Sequence, residues 1–167
     1  MDVNVLVVFY SRYGKAERLA LAAGLGAIQA KANIRLRRVP DLADEATITA
    51  DASWAENRER MKLDYVAPRE ADAPWADVIF LVTPIDTAAE IDRYLAALHA
   101  HGPYPGKIAA PFCPGNRAQT VAQLYVGAAC LGMTVVPMAA TTGYAVEVAR
   151  TYGRRVTEMA RALKAKS

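Results

Sequence analysis

The chain has 167 residues, of which 53% are hydrophobic and 22% charged, and its formal net charge is +3. One domain spanning 1–167 fits that length, and scattered charges of both signs leave no footprint for nucleic acid. Two cysteines, Cys113 and Cys130, are too few for a disulfide scaffold, and the apolar N-terminal run is too short to span a membrane and lacks the features of a signal peptide, so the expected location is the cytoplasm.

Val3, Val5, Leu6, Val7, Val8 and Phe9 form a nearly continuous β-branched and aromatic run. Such a run reads as a strand buried on both faces of a parallel sheet. Ser11-Arg-Tyr-Gly-Lys15 follows, and from Ala16 the apolar spacing turns helical through Leu19, Ala20, Ala23 and Ala27. Gly14 permits a tight turn between the two. A strand feeding a helix through a Ser/Gly turn gathers free amides and the positive end of the helix dipole at one point. That is an anion site with phosphate as its usual guest, and here Ser11 adds a hydroxyl while Arg12 and Lys15 add charge. The same residues also read as a plain turn in which Ser11 caps the helix. The helix is expected to run to about Lys31, and its small residues, Ala23, Gly26, Ala27 and Ala30, suit close approach to a sheet. Ile34, Leu36 and Val39 alternate with arginines, which marks a second strand at the sheet edge, closed by Pro40.

From Asp41 to Ala76 the pattern is irregular. Ser53-Trp-Ala-Glu56 has capping-box spacing and predicts a short helix through Lys62, with Trp54, Met61 and Tyr65 as anchors. Those anchors suit the chain's own core or an oligomer contact. Asp77–Thr83 reads as a third, central strand closed by Pro84. Thr87-Ala-Ala-Glu90 is a second capping box, opening a helix with Ile91, Tyr94, Leu95 and Leu98 on one face. A turn-rich stretch with His99, His101 and Tyr104 precedes a fourth strand, Lys107–Phe112, and the loop Cys113-Pro-Gly-Asn-Arg117. Asn116 with Gln119 is the expected cap of the next helix. Gly132 stops it, Met133–Met138 is the fifth strand, Thr141–Tyr144 a loop and Val146–Leu163 the last helix. Strands alternating with helices predict an α/β open sheet with right-handed crossovers. Ligands then sit beyond the carboxyl ends of the strands, where Tyr10–Lys15, Pro84–Ala89 and Cys113–Arg117 would meet.

Val-Leu-Val-Val-Phe-Tyr-Ser-Arg-Tyr-Gly-Lys resembles the opening of flavodoxin-like proteins. It is most similar to the FMN-dependent NAD(P)H:quinone oxidoreductases of the tryptophan-repressor-binding-protein type. Arg38-Val39-Pro40, Ala76-Asp77-Val-Ile-Phe before Thr83-Pro84, Tyr104-Pro-Gly-Lys107 and Gly132-Met133 to Val136-Pro137 match in the same order, so the resemblance covers nearly the whole chain. It implies a flavodoxin-like three-layer sheet of five parallel strands, order 2-1-3-4-5, with helices on both faces. It also implies FMN as cofactor, NAD(P)H and quinone-like small molecules as partners, no metal, and a homodimer or homotetramer.

By that resemblance Ser11, Arg12, Tyr13, Gly14, Lys15 and Ala16 would hold the FMN phosphate. Thr83, Pro84, Ile85 and Asp86 would approach the ring edge, and Cys113, Pro114, Gly115, Asn116 and Arg117 would close the other side. His99, His101 and Tyr104 are candidate substrate contacts. The chain departs from the family pattern in three places. Ile85-Asp86-Thr87-Ala88 stands where Arg-Phe-Gly-Asn is usual, the loop after the fourth strand is short, and a tryptophan before that strand is missing. Three function classes therefore stand at this level: an FMN enzyme reducing quinones, a flavodoxin-fold interaction module with weakened or lost FMN binding, and a protein using Cys113 as a nucleophile or redox thiol.

Overall fold

The apolar runs read as central strands become the middle of the sheet. In the computed structural model, which describes residues 1–139 and 145–166, β1 (Asn4–Phe9) lies between β2 (Asn33–Arg38) and β3 (Val78–Val82). Beyond β3 come β4 (Ile108–Phe112) and β5 (Thr134–Val135), so the five strands run parallel in the order β2-β1-β3-β4-β5. β2, with its arginines, is an edge as expected. β5 is two residues long rather than six. The loop expected at 141–144 lies outside the described residues.

Residues of β1 alternate between two cores, as period-two side chains must. Val5, Val7 and Phe9 join α1 (Lys15–Gln29) and α7 (Val146–Lys164) on one face. Leu6 and Val8, with Tyr10 just beyond the strand, join α5 (Ala89–Leu98) and α6 (Ala118–Cys130) on the other. The small residues of α1 do more than approach the sheet. Gly26 lies against the backbone of Arg150, and Gly153 of α7 against that of Ala23.

The 41–76 stretch forms three helices, α2 (Glu45–Thr49), α3 (Ala52–Asp64) and α4 (Asp72–Trp75). Its expected cap is corrected: Asp51, not Ser53, accepts from the Trp54 amide at 3.0 Å. Asp44 caps α2 in the same way. Trp54 and Met61 are buried in the chain itself, and Tyr65 stacks edge-on against Phe9. The anchors are thus used at home. Asp72 ties α4 to β2, accepting from Arg37 and Arg35.

Candidate functional site

Parallel strands deliver their following loops to one end of the sheet. The loops after β1, β3 and β4 do meet there, around a cavity of about 260 Å³. The first loop contributes Ser11, Arg12, Tyr13, Lys15 and Ala16, the second Pro84, Ile85 and Asp86, and the third Pro114. Gly14 makes the turn. Its φ of +93° is left-handed, a conformation that costs an L side chain about 1–2 kcal/mol, and it is the residue immediately before α1. Ser11 is buried, and its Oγ accepts from the Gly14 amide at 3.0 Å. A hydroxyl that accepts this way still has its own proton to donate. Serine therefore both shapes the turn and offers a donor to a ligand.

Arg12 is held on three sides. Its guanidinium lies 4.5 Å from the Trp54 ring centroid, its Nε donates to the Tyr10 hydroxyl at 3.4 Å, and Asp86 stands 4.0 Å away on the opposite loop. The Tyr10 hydroxyl in turn donates to Asp41, which also accepts from the Trp54 indole and from Arg38. Burial pushes the Tyr10 phenol well above its ordinary value. Beside this network Glu90 is almost fully buried, with Oε2 unpartnered among the described residues. Burial raises its carboxyl, and the nearby Arg12 charge only partly offsets this. The capping box expected from Thr87 to Glu90 is corrected: Glu90 is buried, the residue before α5 is Ala88, and the Thr87 hydroxyl accepts from the Ala89 amide at 3.2 Å from one position further back.

The remaining expected site residues separate into two groups. Ile85 and Asp86 also line a larger polar groove of about 520 Å³ on the far side of the second loop, and Arg117 opens onto that groove rather than onto the first cavity. Thr83, Cys113, Gly115 and Asn116 do not line the first cavity among the described residues. Thr83 is buried and donates to the Thr87 carbonyl at 2.6 Å, bracing the second loop. Asn116 does not cap α6: its amide donates to the Met138 carbonyl at 2.5 Å, and its Oδ1 is buried and unpartnered among the described residues. No side chain caps α6; the Cys113 Sγ instead accepts from the amide of Arg117, the residue before the helix, at 3.2 Å and closes the short turn between them. Burial raises the Cys113 thiol, so the geometry describes a buried residue that packs and braces the turn and not an activated nucleophile.

His99, His101 and Tyr104 are corrected. They sit between the carboxyl end of α5 and the start of β4, at the amino end of the sheet, opposite the three loops. Tyr104 is buried in the core on the α5–α6 face. A helix that starts at a strand's carboxyl end must return its own end to the other side, which is the physical reason these residues miss the site.

The residues of α3 carry no chemical signal in the sequence, yet α3 roofs the first loop. Asp51 accepts from the Tyr13 hydroxyl at 2.6 Å, Trp54 stacks on Arg12, and Arg60 grips Glu17 of α1 at 2.6 and 2.9 Å. The available signal was a charge mismatch, because Glu17 falls in the first turn of a helix read as an anion site.

No family model matches the chain. Among curated proteins it is 30% identical over 146 residues to an NAD(P)H dehydrogenase (quinone) of Nitrobacter winogradskyi, covering 80% of this chain and 69% of that protein. It is 28% identical over 171 residues to the protein of the same name from Deinococcus radiodurans, covering 93% and 83%. The chain thus spans about two thirds of the length of the first relative. Among solved structures it is similar to a flavodoxin from the domain Archaea, with a TM-score of 0.65 at 16% identity, covering 95% of this chain and 99% of that one. The fold is flavodoxin-like.

Proposed function

The chain belongs to the family of the NAD(P)H dehydrogenases (quinone), and from that premise we propose that it is an FMN-dependent oxidoreductase carrying reducing equivalents from NAD(P)H to quinones. The observation that carries the reading is the left-handed Gly14 turn opening onto the apolar cavity. The donor set fits a phosphorylated flavin. Ser11, the cations Arg12 and Lys15 and the start of α1 suit the phosphate, while Pro84, Ile85, Pro114 and Tyr13 offer apolar walls to a ring.

When bound, the flavin supplies the hydride chemistry, and the protein supplies position and electrostatics. Arg12, fixed by Trp54 and Tyr10, brings a cation to the cavity without needing to reorganise. Asp86 faces it from the second loop and limits the net positive charge there. Ile85, in place of a bulky aromatic, leaves one side open for nicotinamide and quinone to use in turn. A reducing location, the cytoplasm, fits two free cysteines.

Titrating FMN with purified protein is expected to quench flavin fluorescence with a Kd of about 1 μM or tighter. NAD(P)H oxidation by benzoquinone should then depend on added FMN. Unquenched flavin at high protein concentration would transfer the chain to the interaction-module reading, which the carboxylate and the missing aromatic of the second loop favour.

Self-association belongs to the same proposal. Leu21, Leu25 and Ile28 are roughly half exposed and recur at helical spacing along α1, an apolar row that water leaves uncompensated. A dimer or tetramer is expected by light scattering, and a monomer mass at high concentration would remove it.

A further inference from the structure

Glu17 creates a conflict at the helix start. It is the third residue of α1, and a carboxylate in a first turn is drawn to the same amides and dipole that would hold a phosphate. Its Oε2 would lie only 3.4 Å from a Cβ built on Gly14, so the charge stands against the phosphate turn itself. The side chain is 7% exposed, which leaves little water to screen it.

The structure resolves the conflict through α3. Arg60 grips both carboxylate oxygens, Nη2 to Oε2 at 2.6 Å and Nη1 to Oε1 at 2.9 Å, and the Tyr65 hydroxyl donates to Oε1 at 2.6 Å. Asn57 and Asp64 orient the same guanidinium, accepting from it at 3.3 Å each. This is a bidentate pair on a buried acid, with the arginine itself set by its own helix. We propose that Arg60 is a positioning residue for phosphate recognition: it neutralises Glu17 and holds it on the α3 side, so that the start of α1 can accept the dianionic phosphate of the flavin. The proposal rests on the FMN reading and adds a residue that touches neither flavin nor substrate.

Flavins with and without the phosphate separate this role from simple support of the fold. At pH 8, Arg60→Ala is expected to raise the FMN Kd at least about tenfold, because an uncompensated unit charge a few ångströms away costs a few-fold when bulk water screens it and much more near a protein surface. The riboflavin Kd should stay within about twofold, because riboflavin carries no phosphate. Adding Glu17→Gln to Arg60→Ala removes the stranded charge and should bring the FMN Kd back to within about threefold of wild type. Glu17→Gln alone keeps the arginine and should bind FMN at least as tightly as wild type. Equal weakening of FMN and riboflavin in Arg60→Ala, an unchanged FMN Kd, or a double variant as weak as the single one would each overturn the assignment. A wild-type protein that binds riboflavin and FMN equally would overturn it as well, with flavin binding itself intact. Wild type binding neither would remove the FMN reading together with it.

Discussion

Gly153→Ala is expected to lower the melting temperature by about 4–8 °C, although helix propensity alone argues for the opposite sign. Alanine is favoured over glycine inside a helix by about 1 kcal/mol. At this position, however, a Cβ would lie 2.1 Å from the Ala23 carbonyl oxygen and 2.8 Å from the Ala23 Cα. The obstacle is backbone, so no rotamer change relieves it. The reciprocal position is as tight, with a Cβ on Gly26 falling 2.0 Å from the Arg150 carbonyl oxygen. Restoring a normal contact moves α1 and α7 apart by about 1 Å or more, and that loosens Ala23, Ala149 and Val156 from their common core. Overpacking of this kind costs about 3 kcal/mol, which leaves a net loss of about 2 kcal/mol after the propensity gain. In a chain of this size each kcal/mol is about 2–4 °C. Gly24 of α1 provides the comparison, since a Cβ there meets only Ile34 Cδ1 at 3.8 Å and Val7 Cγ2 at 3.9 Å. Gly24→Ala should therefore stabilise by up to about 1 kcal/mol. Circular-dichroism melts of the two variants decide the matter, and a Gly153→Ala protein melting at or above wild type would rule out this helix crossing.

Both glycines are plain in the sequence, but their partner is not. Small residues at helical spacing say that something comes close without saying whether it is a sheet or a helix; a sheet is the expected neighbour in an α/β fold, and here α7 shares the contact. The strands were legible because burial on both faces removes polar residues, and the edge was legible because β2 retains its arginines. The first loop was legible because its chemistry is local, five residues between a strand and a helix. The rest of the site was not local. Asn116 looked like a cap because asparagine commonly is one, whereas its amide is committed to Met138, 22 residues away. Arg12 looked like a free cation, yet Trp54 and Asp86 fix it from separate parts of the chain. α3 carried no signal of its own role, since a roof is recognised only by what lies under it.

Gly14→Val is expected to abolish FMN-dependent quinone turnover by preventing the flavin from binding. The Gly14 φ of +93° lies where a β-branched residue is a true outlier, so valine must either strain the turn or flip the adjoining peptides. Flipping is the easier course, and it breaks the bond from the Gly14 amide to Ser11 Oγ that shapes the loop. The amides at the start of α1 then no longer converge with the Ser11 hydroxyl. Hydrogen bonds to a charged group contribute about 1.5–3 kcal/mol each, and the loss of two predicts an FMN Kd at least about a hundredfold weaker. Strain alone would not give this result, and Gly106 distinguishes the two effects. Its φ is +80°, with nothing within 4 Å of a built Cβ, and it precedes β4 at the amino end of the sheet. Gly106→Val should bear a similar backbone cost, visible as a lower melting temperature, while its FMN Kd and its turnover stay at the wild-type value. A folded Gly14→Val protein that bound FMN and reduced quinone as well as wild type would place the active site elsewhere on the molecule. The same conclusion would follow if Gly106→Val lost flavin to the same degree, because the left-handed turn before α1 would then have no special part in holding it.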